Sequence, residues 1–316
     1  MVKRFVAIKY AEELCLSGMA SIKMEPGASV QYTVTQPSTP EKKRIMQSIW
    51  TILLALAFPF LAACGGGGDS KASCNYTRCD NFESHPYAVY RPAKLDSHRS
   101  LLVLLHGAGQ GQDAAEAMWQ GRSFADANGY VLAIPQGTDK LWNYTSDIEW
   151  MLHFVDFMQQ EEGPFDAVYL AGWSNGSMLS QQVACNTNGK ITGVVSFAGE
   201  RFENAPCAPA YPIAISLIHG TADSIVSFSG GSFGTQGALA AFDFWRSQNA
   251  CAADTEISAP FLLERATTTS TRGIACRAPV ELTVSQGGQH TPNWNITGLH
   301  SMLRDFFDRA AAARTQ

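Results

Sequence analysis

Residues 166–185 place a glycine-flanked serine between an apolar run and a helix-compatible segment. The run at 168–171, Val-Tyr-Leu-Ala, is rich in strand-forming side chains and leads directly into Gly-Trp-Ser-Asn-Gly at 172–176. This pattern predicts a strand, a sharp turn and a helix, with the G-x-S-x-G motif at the turn. Because glycines permit a turn too tight for flanking side chains, the hydroxyl of Ser174 is expected to stand clear of the sheet.

The position of Ser174 favours a nucleophile over an ordinary helix N-cap serine. Its backbone would lie at a helix N-terminus, where N–H groups and the helix dipole stabilise a developing negative charge. The N–H of Asn175, the next residue, is therefore a predicted oxyanion donor. A second donor is expected from the loop after an early strand, Leu-His-Gly-Ala-Gly-Gln at 105–110, with Ala108 preferred and Gly107 or Gly109 as alternatives.

Strands and helices alternate from about residue 87 onwards, which predicts an α/β fold with a mostly parallel sheet and helices on both faces. The run at 101–105 is continuously apolar, as in a strand that is buried on both sides. The same reasoning predicts strands at 130–134, 193–197, 212–218 and 280–284, and helices at 113–128, 147–160, 237–248 and 300–314.

An acid and a base follow Ser174 in the chain, each just after a predicted strand. Asp223 ends the sequence His-Gly-Thr-Ala-Asp, and His290 ends Gly-Gly-Gln-His before the last helix. A turn aspartate and a surface histidine are the alternative interpretations, but the order serine, acid, histidine favours a catalytic triad. Asp243 falls within a helical pattern and His300 begins the last helix, so both are weaker candidates. His106 is expected to brace its loop.

Four motifs together carry a resemblance to a known group of enzymes: Leu-His-Gly-Ala-Gly-Gln, Gly-Trp-Ser-Asn-Gly, His-Gly-Thr-Ala-Asp and Gly-Gly-Gln-His. The chain from about residue 87 resembles the secreted polyhydroxybutyrate depolymerase and feruloyl or acetylxylan esterase group. The resemblance implies an α/β-hydrolase fold, hydrolysis of carboxylic esters through an acyl-enzyme, and no cofactor. The group's Gly-Gly-Gly-His-Thr-Trp-Pro is replaced here by Gly-Gly-Gln-His-Thr-Pro-Asn-Trp, which displaces the tryptophan to Trp294. Trp294 and Trp142 are the predicted substrate contacts, with packing an equal alternative for Trp142.

The front of the chain has the composition of an export signal. A basic cluster at 42–44 precedes an apolar run, which ends in Leu-Ala-Ala-Cys and then four glycines. This ending resembles a bacterial lipobox and predicts a lipoprotein signal at 42–64 with lipidation at Cys64, rather than a signal-anchor helix. A flexible linker is expected at 65–84 and the catalytic domain at 85–316. A start codon assigned too far upstream is the simplest explanation of residues 1–41.

Cysteine usage agrees with export to a lipid-anchored outer-membrane or cell-surface site, or with secretion. Apart from Cys15 and Cys64, six cysteines remain, and sequence proximity favours the pairs Cys74–Cys79, Cys185–Cys207 and Cys251–Cys276. No C-x-x-C pair supports a zinc site, so no metal is expected. The formal net charge is -5 without a concentrated basic face, which argues against nucleic acid as a partner.

Two further functions remain open at this stage. A surface lipoprotein could use the fold only to bind a ligand, although such a protein has no need for an ordered nucleophile, acid and base. Alternatively, the same machinery could hydrolyse peptides or transfer an acyl group to a sugar. A small or oligomeric ester is the expected partner, with a membrane contacted only through the lipid anchor.

Overall fold

The computed structural model describes residues 20–23, 31–34, 75–97, 99–264 and 266–314. The predicted signal at 42–64, its lipidation site Cys64, and Cys74 lie outside these residues. The chain divides into two compact units, residues 1–70 and 71–316. In the first unit, Ala20–Lys23 (β1) and Gln31–Val34 (β2) pair as antiparallel strands, with Ala20 opposite Val34.

An eleven-stranded mixed sheet organises the second unit, in the order β10-β12-β13-β9-β8-β7-β5-β6-β4-β3, with β11 pairing to β12. The central strands, from β13 to β6 in this order, run parallel, and the flanking strands are antiparallel. The strands are Arg78–Phe82 (β3), His85–Tyr90 (β4), Ser100–Leu105 (β5), Val131–Pro135 (β6), Ala167–Trp173 (β7), Gly193–Phe197 (β8), Ala214–Gly220 (β9), Thr255–Ile257 (β10), Phe261–Leu262 (β11), Thr267–Gly273 (β12) and Val280–Ser285 (β13).

Helices cover both faces of the sheet, as the alternating pattern predicts. Every residue of β5 and β7 is buried, because these central strands have a helical layer on each side. One apolar cluster joins the sheet to α3, α4 and α5, and a second joins it to α1, α2 and α6. The helices are Gln112–Trp119 (α1), Gly121–Asn128 (α2), Ser146–Glu161 (α3), Asn175–Asn186 (α4), Ala238–Gln248 (α5) and Ile296–Arg314 (α6).

The structure corrects three sequence-based boundaries. The single helix predicted at 113–128 breaks at Gln120, whose φ of 46° is left-handed. Trp119 and Phe124 would point about 140° apart on one continuous helix, and the break lets both rings pack into the same cluster. The predicted linker at 65–84 is not entirely a linker, because β3 lies within it and pairs with β4. The closing helix begins at Ile296, before the predicted start at 300.

Two of the three predicted disulfides lie wholly within the described residues, and both form. Cys185–Cys207 ties the end of α4 to the segment after β8, and Cys251–Cys276 ties the residues after α5 to the turn after β12. Cys79 is also disulfide-bonded, whereas its predicted partner Cys74 lies outside the described residues. Disulfides persist in oxidising compartments, so this pattern is typical of an exported protein. Within the described part of the chain, none of the helices combines the length and apolar character that a bilayer span requires.

Candidate active site

Ser174 sits at the sharp turn between β7 and α4 in a strained backbone conformation, with φ 54° and ψ -115°. Such a conformation persists only where the surroundings enforce it, as they do at a nucleophile elbow. A Cβ at Gly172 would lie 2.3 Å from the carbonyl oxygen of Gly176, and one at Gly176 would lie 2.6 Å from that of His106. The two motif glycines are therefore required because backbone approaches them too closely for any side chain.

The structure brings the three predicted triad residues into one hydrogen-bonded chain. The Nε2 atom of His290 lies 3.0 Å from the Ser174 Oγ, and its Nδ1 atom lies 2.7 Å from the Asp223 Oδ2. With Nδ1–H donating to the carboxylate, Nε2 is left to accept the serine proton. The side chain of Asp223 is buried and that of His290 is 14% exposed, so the base faces the surface while its orienting acid does not.

Hydrogen bonds hold the Asp223 carboxylate in its charged form. Its Oδ1 accepts the backbone N–H groups of Ile225 and Val226, and its Oδ2 faces the rings of both His290 and His219. Burial acts to raise the pKa of Asp223, but these hydrogen bonds outweigh it and keep that pKa well below its usual range. The acid is therefore ionised at every pH at which a histidine could act as the base.

The acid loop, residues 221–226, and the base loop, residues 286–290, are joined by their backbones. They follow the adjacent parallel strands β9 and β13, in which Gly220 lies opposite Ser285. The N–H of Ala222 donates to the carbonyl of Gly288 at 3.0 Å, and the N–H of Gly287 donates to the Thr221 hydroxyl at 2.8 Å. The separation of Asp223 and His290 is thus set by the sheet register.

Two backbone donors are available for an oxyanion beside Ser174. The N–H groups of Ala108 and Asn175 make no hydrogen bond within the described part of the chain. The N–H of Gly109, an alternative donor from the sequence, instead donates to the carbonyl of Lys140 at 2.9 Å. This leaves Ala108, with Gly107 as the alternative, to complete an oxyanion hole with Asn175.

His106 and Trp142 brace the loop that carries the second donor. His106 is fully buried, its Nδ1 donates to the Gly107 carbonyl at 2.8 Å, and its Nε2 accepts the Gly137 N–H at 3.0 Å. Burial lowers the pKa of His106, which fits this neutral tautomer. Trp142 donates its indole N–H to the His106 carbonyl and its backbone N–H to the Asn175 Oδ1. These bonds tie the two predicted oxyanion donors to one framework.

Of the two roles that the sequence left open for Trp142, the structure shows packing, and a contact with substrate stays a prediction. Trp142 is 3% exposed and stacks on His106, because its indole N–H finds a buried backbone acceptor beneath the loop. Trp294 is half-buried and packs against the rings of Phe197 and Trp119. Its contact with substrate stays a prediction.

Three supporting residues were not among the predicted site residues. Trp173 donates its indole N–H to the carbonyl of His290 at 3.0 Å, which anchors the base from the nucleophile strand. His219 and Glu200 form a buried pair behind Asp223. Trp173 lies inside the serine motif and His219 lies inside the motif of the acid. Their positions within these motifs are the sequence signal that could have identified them as supporting residues. His300 lies away from the site, with its Nε2 on the Trp119 carbonyl.

No group of three or more histidine, cysteine, aspartate or glutamate side chains in the described residues could hold a metal ion.

Comparisons with known proteins agree on the fold. No protein-family model matches the chain. It is 29% identical over 150 residues to a protein named "Putative esterase NocK" from Nocardia uniformis subsp. tsuyamanensis, and the match covers 43% of each chain, so it spans less than half of that relative. The acetyl xylan esterase from Aspergillus awamori superimposes with a TM-score of 0.55 at 12% identity, over 71% of this chain and 94% of that one. Est1E from Butyrivibrio proteoclasticus gives 0.50 at 10% identity, over 74% and 98%. The chain has the α/β-hydrolase fold.

Proposed function

We propose that this protein is a serine hydrolase that cleaves carboxylic esters through an acyl-enzyme. The observation that carries the proposal is the continuous chain of hydrogen bonds from Ser174 through His290 to Asp223, on a strained elbow of the α/β-hydrolase fold. A protein that only binds a ligand has no use for a hydroxyl aligned with a base and a buried acid. The partial likeness to a protein named as an esterase supports the choice of esters.

The geometry suggests the following sequence of steps. The Ser174 Oγ attacks the ester carbonyl while the Nε2 of His290 takes its proton, and the resulting oxyanion accepts hydrogen bonds from the N–H groups of Asn175 and Ala108. The imidazolium then protonates the departing alcohol, which leaves an acyl group on Ser174. Water, deprotonated by His290, attacks this acyl-enzyme and releases the acid. Asp223 fixes the imidazole orientation and stabilises its positive charge.

Apolar surface beside the site supports an ester with an apolar or aryl part. Leu141, in the loop after β6, is 50% exposed and precedes Trp142, which is bonded to Asn175. Ile225, in the acid loop, is 54% exposed, and its N–H donates to Asp223. Ligand sites commonly combine such apolar surface with a few polar groups. Hydroxyalkanoate oligomers, feruloyl esters and acetyl esters are the substrate classes we propose.

A substrate panel tests this function and separates it from the alternatives. Hydrolysis would be measured on p-nitrophenyl esters of rising acyl length, on methyl ferulate, and on acetylated xylan and hydroxybutyrate oligomers. We expect turnover of at least one class, with preference changing with acyl size. A peptide substrate and a sugar acceptor, added in parallel, report peptidase and acyltransferase activity. Absence of turnover on every ester would contradict the proposal and favour a ligand-binding protein.

Export with a lipid anchor on Cys64 is a further part of the proposal. The signal-like sequence at 42–64 and the disulfides of the hydrolase unit support it. Because Gly65 follows the cysteine, the outer membrane or cell surface is the proposed destination in a Gram-negative cell. Cys64→Ser is expected to abolish incorporation of a fatty-acid analogue, measured by labelling in cells. Cys74→Ser, which replaces a cysteine downstream of the predicted lipobox, is the matched control that should keep the label. Labelling that persists in Cys64→Ser would remove the claim.

A further inference from the structure

His219 lies fully buried in β9, immediately behind the triad acid. Its Nδ1 atom is 2.8 Å from the Glu200 Oε1, and its Nε2 atom is 2.9 Å from the Val226 carbonyl oxygen. The same Nε2 atom lies 3.5 Å from the Asp223 Oδ2, the oxygen that also faces His290. Each ring nitrogen of His219 therefore has an oxygen acceptor within hydrogen-bond distance.

While Glu200 is ionised, neither neutral tautomer of His219 can satisfy this environment. A neutral imidazole has one N–H donor and one nitrogen acceptor, so one nitrogen would face an oxygen with no proton between them. A doubly protonated ring donates at both positions and carries a positive charge between the two carboxylates. Burial acts to lower the pKa of His219, but the hydrogen bonds with Asp223 and Glu200 and the charge of Glu200 raise it to about 10.

Glu200 is held in place as the counter-charge. Its side chain is fully buried, and its Oε2 atom accepts a hydrogen bond from the Gln181 amide at 3.1 Å. Gln181 is in turn fixed by the indole N–H of Trp245 at 2.9 Å. These hydrogen bonds run from α5 through α4 to the segment after β8, so the cluster is built into the core.

Few other charges face this cluster. The His219 ring also makes a T-shaped contact with Phe228, at 5.7 Å between ring centroids. Arg201 follows Glu200 in the chain, but its guanidinium stacks over Phe244 and donates to the Ala205 carbonyl. The titratable groups that face His219 are Glu200 and Asp223, with His290 beyond the latter.

We propose that His219 is a permanent imidazolium that acts as a positioning residue, partly neutralising Asp223 and so setting the pH at which His290 becomes a base. A positive charge behind the carboxylate makes a second positive charge on His290 less favourable. His290 then stays unprotonated, and able to accept the serine proton, to a lower pH than the carboxylate alone would allow. The catalytic consequence rests on the proposed function, whereas the charge of His219 does not.

The charge can be observed directly by NMR of the ¹⁵N-labelled histidine side chains in the wild-type protein. We expect both ring nitrogens of His219 to carry protons from about pH 5 to pH 9. Assignments come from His219→Gln and His290→Gln. A wild-type spectrum in which His219 has an unprotonated nitrogen at pH 7 overturns the proposal, whether or not any variant folds.

The influence on His290 is tested in His219→Gln, which keeps an amide donor and removes the charge. We expect the midpoint of the His290 titration, and the acid limb of the kcat/KM profile, to move up by about 1–2 pH units. His153→Gln, on the exposed face of α3, should move neither. A loss of activity with both midpoints unchanged would mean a merely structural role and overturns the proposal. Since the NMR midpoint needs no substrate, a wild type without esterase activity would contradict the proposed function alone.

Discussion

Ser174→Ala is expected to lower kcat by about 10⁴–10⁶-fold, because the triad acts as a unit and the alanine leaves no nucleophile. The strained turn and its glycines remain, so the variant should fold normally and still bind ester. The comparison requires kcat at saturating substrate for both proteins, on the best ester of the panel. A fluorophosphonate probe should label the wild type at Ser174, identified by peptide mass spectrometry, and should not label the variant.

Ser180→Ala provides the matched control for this substitution. Ser180 lies in α4, the helix that follows Ser174, and is fully buried. Its hydroxyl donates a hydrogen bond to the Ser177 carbonyl at 2.7 Å. We expect it to keep probe labelling and to change kcat by no more than a few-fold. Substantial ester turnover by folded Ser174→Ala would exclude the proposed mechanism.

Asp223→Asn is expected to reduce kcat by roughly 10³–10⁴-fold while the protein stays folded. The amide has nearly the shape of the carboxylate, but it carries no charge to stabilise the His290 imidazolium and favours the wrong tautomer. Because the pKa of Asp223 is held well below its usual range, the substitution removes a charge at every pH of the assay. The loss should therefore persist across the pH profile rather than appear at one end of it.

Asp243→Asn is the control for this second substitution. Asp243 lies in α5 with its side chain 70% exposed, and it was the carboxylate that the sequence placed within a helical pattern. Activity of this variant should match the wild type, with folding of both variants checked by circular dichroism. Near-normal kcat in Asp223→Asn would assign the orienting role to another group.

The sequence placed the triad candidates well because their positions depend on strand ends. In a parallel sheet the carboxyl ends of successive strands meet at one edge, so motifs far apart in the chain converge without any knowledge of side-chain contacts. Ser174, Asp223 and His290 each lie just after a largely buried strand of the parallel part of the sheet. The outer strands β10 to β12 escaped prediction because they are short or partly exposed, with many polar side chains.

The supporting contacts could not be predicted, because they depend on which buried donor meets which acceptor. Trp142 lies in the loop after β6, and Trp173 ends β7. Nothing in the sequence shows that their indole N–H groups bond backbone carbonyls beneath the site. The ion pair of Glu200 and His219 joins the residues after β8 to the last part of β9, and nothing in the sequence shows that these two side chains meet. Such pairings are settled only when the sheet register is known.

The backbone bonds between the acid loop and the base loop have a consequence for how activity is lost. If either loop opens, the bonds from Ala222 to Gly288 and from Gly287 to Thr221 break together, so Asp223 and His290 leave their places as one cooperative unit. The elbow of Ser174 belongs to β7 and α4 and can stay folded during such an opening. Such an opening would leave a folded molecule whose Ser174 has no base to activate it. Each molecule would then be either fully active or inactive, rather than partly active.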